Sequence, residues 1–125
     1  MQIACEKGHK EIVNYVITLP QILVNQGNRH GRTALHIACG RGRTEIVKIL
    51  LKDDRVVVNQ VDRYGQTSLN VACDWRKGAI VEILLKDGRG MIDVNQKDTH
   101  GRTPLWIACR WGNEEIAKIL LKYGK

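Results

Sequence analysis

The sequence predicts an all-α solenoid of stacked helical units, and two regularities predict it. First, Gly31-Arg-Thr-Ala-Leu-His-Ile-Ala-Cys39 returns as Gly65-Gln-Thr-Ser-Leu-Asn-Val-Ala-Cys73 and as Gly101-Arg-Thr-Pro-Leu-Trp-Ile-Ala-Cys109, while Met1-Gln-Ile-Ala-Cys5 repeats its last part. The four cysteines are 34, 34 and 36 residues apart. Second, Glu45-Ile-Val-Lys-Ile-Leu-Leu51 returns as Glu115-Ile-Ala-Lys-Ile-Leu-Leu121. Self-similarity at this period belongs to stacked supersecondary units that bury a core between neighbours. The units are residues 1–25 (truncated at its start), 26–59, 60–95 and 96–125.

Within a unit, the glycine (Gly31, Gly65, Gly101) suits a turn before a helix, where a residue without Cβ takes positive φ cheaply. The threonine two residues later is placed to cap that helix, and Pro104 fits its first turn. Leu35, Ala38 and Cys39 follow at i, i+3 and i+4, which gives one apolar stripe. Their small members allow close approach of neighbouring units. Gly42 and Gly112 suit the left-handed residue that ends the first helix. Repeat three has Arg76 in that place, at a cost of about 1 kcal/mol unless Gly78 shifts the turn. In the second helix Ile46, Val47, Leu50 and Leu51 face inward. Glu45 with Lys48, Glu82 with Lys86 and Glu115 with Lys118 form an exposed charged face. The two extra residues near Asp87-Gly-Arg-Gly-Met91 predict a bulged loop after the third second helix.

The six-residue boxes Thr33-Ala-Leu-His-Ile-Ala38, Thr67-Ser-Leu-Asn-Val-Ala72 and Thr103-Pro-Leu-Trp-Ile-Ala108 match the T-P-L-H-x-A pattern closely, and the chain resembles the ankyrin-repeat family over essentially its whole length. The resemblance implies helix-turn-helix repeats with β-hairpin or loop fingers along one edge, marked by Val24-Asn25, Val58-Asn59 and Val94-Asn95. It also implies a concave groove, lined by finger tips and first helices, that takes a partner. Asn70 and Trp106 replace the box histidine kept at His36, which puts the family's side-chain network there in question; Trp106 is expected to pack inside. By the same resemblance Asn59, with Leu51 eight residues upstream, is a candidate for hydroxylation.

Carried onto this chain, the groove positions are filled unevenly. The tips supply Arg29, His30 and Arg32, then Arg63 and Tyr64, then Lys97, His100 and Arg102; the helices supply Arg41, Trp75, Arg110 and Trp111. Six of the ten arginines fall on this face, whereas, with Lys7 of the first helix counted beside Lys97, eight of the ten lysines fall elsewhere. Arginine forks onto carboxylates and phosphates and stacks on rings, and interfaces favour arginine, tryptophan and tyrosine over lysine. With a net charge of +7, the expected partner is another protein with an acidic surface, whose acidic or aromatic-containing peptide or domain is held in the groove by aromatic anchors. Single-stranded nucleic acid, with arginines on phosphates and bases on tryptophans, is the alternative. The bland reading of the same residues is solubilising surface.

Other classes find little support. Ser68 is the only serine and sits at a helix start, outside any nucleophile elbow. Gly40-Arg-Gly-Arg-Thr44 lacks the lysine ending of a phosphate loop and follows a helix. His9, His30, His36 and His100 occupy repeat-defined positions. Cys5 with His9 and His36 with Cys39 have metal-ligand spacing but no second pair. Equivalent cysteines on packed helices about 8–10 Å apart are beyond the roughly 7 Å reach of a disulfide. The expectation is a non-enzyme without cofactor or metal, its thiols reduced, in cytoplasm or nucleus. No apolar run is long enough to span a membrane. Met1 aligns with Leu35, and Leu121-Lys-Tyr-Gly-Lys125 still follows the internal pattern of Ile116, Ile119 and Leu120. A piece of a longer array is therefore expected, monomeric or weakly associated end to end through apolar flanks.

Overall fold

In the computed structural model, residues 1–88 and 90–123 are described; Arg89 in the predicted bulge, and Gly124 and Lys125, lie outside them. Eight helices are found among the described residues: α1 (Gln2–Lys7), α2 (Lys10–Val16), α3 (Ala34–Gly40), α4 (Thr44–Leu51), α5 (Ser68–Asp74), α6 (Gly78–Asp87), α7 (Pro104–Arg110) and α8 (Glu114–Tyr123). They stack in two layers. Helices α1, α3, α5 and α7 pack on one another in order, and α2, α4, α6 and α8 do the same behind them.

Local chemistry sets these boundaries. Thr33, Thr67 and Thr103 each accept the backbone N–H three residues on, capping α3, α5 and α7. Gly8, Gly42 and Gly112 turn each first helix into its second with φ between 65° and 78°. Arg76 adopts the same turn at φ 60°, so Gly78 does not shift it; Gly78 opens α6 instead. The two extra residues after repeat three are taken up first by α6, which runs to Asp87.

The core lies between repeats. Cys5, Ala38, Cys39, Ala72 and Cys73 are fully buried in the first layer, and Val13, Val47, Leu50, Val81 and Leu84 in the second. Burial pushes the Cys5 thiol up to about 11 and Cys73 to about 12, and raises Cys39 further; these are inert packing groups. Cys109 departs from its equivalents and is exposed. Lys48 pairs with Glu45 at 3.7 Å as expected, whereas Lys118 pairs with Glu114 at 2.9 Å rather than with Glu115.

The fingers are loops; no strand forms among the described residues. Adjacent fingers share a single backbone bond each, Arg63 N–H to His30 C=O and Thr99 N–H to Tyr64 C=O, both 2.9 Å, too few to build a ladder. A carboxylate or amide folds each tip. Asn28 Oδ1 accepts His30 N–H and Arg32 N–H, Asp62 Oδ1 accepts Tyr64 N–H and Gln66 N–H, and Asp98 Oδ1 accepts His100 N–H and Arg102 N–H. Behind the tips, Asn25 clamps the next loop, donating to Arg55 C=O at 2.7 Å and accepting Val57 N–H at 2.8 Å. Asn59 repeats this on Met91 C=O at 2.6 Å and Asp93 N–H at 2.8 Å.

Candidate functional site: the groove

The groove begins with the box residue of each first helix. His36 is buried, accepts the Thr33 backbone N–H on Nδ1 at 3.1 Å and meets Gln66 C=O through Nε2 at 2.8 Å. One ring nitrogen accepts and the other faces a carbonyl, so the ring is neutral with its proton on Nε2. Burial holds its pKa below the ordinary value, the Gln66 bond opposing this in part. Asn70 rebuilds the network: its Oδ1 accepts the Thr67 hydroxyl at 3.2 Å and its amide donates to Gln96 C=O at 3.2 Å. Trp106 does not. It is 46 % exposed, contrary to the expected interior position. Its ring lies instead beside the guanidinium groups of Arg102 and Arg110, 6.0 and 5.9 Å from the centroid.

Two of the arginines on the groove face also serve the scaffold. Arg32 Nε holds the buried Asp62 carboxylate at 3.3 Å and its guanidinium lies 5.7 Å from the Tyr64 ring. Arg102 Nε holds the buried Asp98 at 2.6 Å. Burial pushes the Asp98 carboxyl up, but the Arg102 backbone N–H, the Arg102 guanidinium and the His100 N–H together bring it below its ordinary value. His30 stacks on Tyr64 with centroids 6.4 Å apart. Arg29, Arg63, Lys97 and His100 stand exposed at the tips, separate from the helical part of the face.

The helical part gathers the rest. Glu6, Asn28, Arg32, His36, Ile37, Gly40, Arg41, Val71 and Trp75 line a cleft of about 320 Å³. Ile37 and Val71 give it an apolar floor, and Trp75, 63 % exposed, forms a wall. Gly40 keeps it open, since a Cβ there would press on Val71 at 3.2 Å and approach Trp75 at 3.8 Å. Arg41 stands at the rim, 3.6 Å from Glu6. Trp75 also borders a second, more open cleft with Asp74, Arg76 and Trp111. There Trp111 Nε1 donates to Asp74 at 2.9 Å, with Arg76 and Arg110 over its ring at 4.8 and 5.8 Å. The left-handed turn at Arg76 thus carries a cation onto the tryptophan of the next repeat.

Sequence reasoning did not single out Asn28, Asp62, Asp98 or Arg76 as builders of this face. The first three were legible as an Asn or Asp three residues before each turn glycine, a spacing suited to a side chain that bonds its own loop. Among the described residues no cluster of His, Cys, Asp or Glu could hold a metal ion, and no helix is long and apolar enough to cross a membrane.

Paired helices stacked in two layers, with turn-held loops projecting beside a groove, define a repeat solenoid built to present an extended surface. The family model for ankyrin repeats, three copies, matches residues 1–98 and again 55–125; the chain belongs to the ankyrin-repeat family. Proteins of this family are generally protein–protein interaction modules and typically non-catalytic. No curated protein matches the chain significantly.

Proposed function

We propose that the groove binds an acidic segment of another protein, with an apolar or aromatic side chain of that segment seated beside Trp75. The cleft at Trp75 carries this reading: an apolar floor, an exposed indole wall and a cationic rim in one place. Arg41, Arg76 and Arg110 outnumber Glu6 and Asp74 on the helical part, so encounter with an acidic partner is steered. Single-stranded nucleic acid is the second reading, favoured by the alternation Arg102, Trp106, Arg110, Trp111, Arg76. It ranks second because these guanidinium groups already lie over ring faces that bases would need.

Anisotropy with a labelled Asp/Glu-rich peptide carrying one tryptophan, run beside a labelled oligouridylate over a salt series, tests both. The peptide is expected to bind more tightly at physiological salt, and Trp75→Ala to weaken it about 30-fold, the scale of a central aromatic anchor. Tighter binding of the oligonucleotide, or a Trp75→Ala variant that binds the peptide as wild type does, would overturn the reading.

A further inference from the structure

One residue of the groove breaks a backbone pattern that the other repeats keep. The turn from first to second helix is left-handed in all four, and glycine fills it at Gly8, Gly42 and Gly112. Arg76 fills it in repeat three, at φ 60°, and is the one non-glycine residue with positive φ among the described residues. A Cβ strains that conformation, and strain kept at a single position points to a use for the side chain it carries.

That use lies in the cleft lined by Asp74, Trp75, Arg76 and Trp111, which Trp75 divides from the first cleft. The turn sends the Arg76 guanidinium over the Trp111 ring, 4.8 Å from its centroid. Arg32, Arg41 and Arg102 each have a carboxylate partner. Arg76 has none among the described residues. Asp74, the one carboxylate lining the cleft, instead accepts Trp111 Nε1–H at 2.9 Å. Arg76 is thus a planar fork of donors held on an apolar ring, and a carboxylate is the group that such a fork takes.

We propose that Arg76 is a specificity-determining residue of the groove: it holds an acidic side chain of the bound segment in the second cleft while an apolar or aromatic side chain sits beside Trp75. This rests on the reading of the groove as a site for an acidic segment and adds a register to it. The two clefts follow the spacing of successive first helices, about 8–10 Å. An extended or polyproline chain rises about 3.1–3.4 Å per residue, so the acid stands about three residues from the anchor.

Two labelled peptides of equal net charge test it, each with one tryptophan. In the first, glutamates stand three residues to either side of it; in the second, those glutamates trade places with glutamines further out. Dissociation rates are measured on wild type, Arg76→Gly and Trp75→Ala, with thermal melts of each. Arg76→Gly suits the turn and should melt no lower than wild type, yet release the first peptide about tenfold faster. The second peptide should leave both proteins at the same rate. Equal release of the first peptide from wild type and Arg76→Gly overturns the proposal, and faster release from Trp75→Ala in the same series would leave the groove reading standing. Faster release of both peptides by one factor also overturns it, since the arginine would then act as a general attractor of acid. So does a lower melting temperature for Arg76→Gly, which would make the strained turn a stabilising feature. Release unaffected by either substitution ends both readings.

Discussion

Repeats two and four share the box frame Thr-x-Leu-x-Ile-Ala and the same pair of helices, yet their fourth box residues, His36 and Trp106, lead different lives. His36 is locked between its own cap and the next finger, whereas Trp106 stands in solvent between two arginines. The residue shared by both boxes isolates the neighbour's part: Leu35 is buried, whereas Leu105 is 36 % exposed. In this fold a residue's burial depends on whether another unit sits over it, so equivalent sequences yield a structural group in one place and a surface group in another.

Thiol chemistry offers the sharpest break in that comparison. In dilute native protein Cys109 should react promptly with a thiol reagent, while Cys5, Cys39 and Cys73 wait for opening of the fold. With a stability of about 5 kcal/mol or more, the rates differ on the order of a thousandfold. Mass spectrometry of early time points checks this, and early label on Cys73 would contradict it. Next in size, Leu69→Ala should cost about 3 kcal/mol and the equivalent Leu105→Ala less than about 1 kcal/mol in urea unfolding. Equal losses would mean that the last repeat is as well covered as the third.

The smallest effect expected is one of pH. The His36 pKa is lowered on folding from 6.5, so below that value the unfolded chain binds the proton first and stability falls as pH drops toward the folded pKa. Above 6.5 the contribution is flat. Asp98 acts in a lower window, its stabilisation being lost only as pH falls below 3.8 and through its depressed folded value. His36→Asn, which copies the residue that Asn70 supplies in the next repeat, should remove the upper slope while keeping most of the stability. Thermal melts between pH 5 and pH 7 in wild type and variant measure it; parallel slopes would assign the effect to another group.

Most of the scaffold was legible in the sequence because it is periodic. Glycine turns, threonine caps and the inward Leu and Ile positions recur at fixed spacing, and each sits where its chemistry requires. What escaped was non-periodic or depended on neighbours. Trp106 and Cys109 are exposed because no described residue packs over them as over their equivalents in repeats two and three. The role of Arg76 needs Trp111, 35 residues away, and no local pattern links the two. The fingers, expected as β-hairpins or loops, are loops, each closed by a backbone bond within itself: Asn28 N–H to Arg32 C=O, Asp62 N–H to Gln66 C=O and Asp98 N–H to Arg102 C=O. At the groove, sequence selected arginines by type, but only geometry shows that Arg32 and Arg102 hold buried carboxylates, whereas Arg41 meets the partly exposed Glu6 at the cleft rim.

The asparagine clamps carry a consequence for how the chain reaches this shape. Asn25 and Asn59 join groups 30 to 34 residues apart, a reach that differs by only two residues between the two joints. Among the described residues the side-chain hydrogen bonds between repeats reach at most 38 residues, so the loop-closing cost is nearly constant from one joint to the next. Order started at any pair of repeats can then spread outward one unit at a time, as a zipper does, and loss of order runs inward from whichever end is looser.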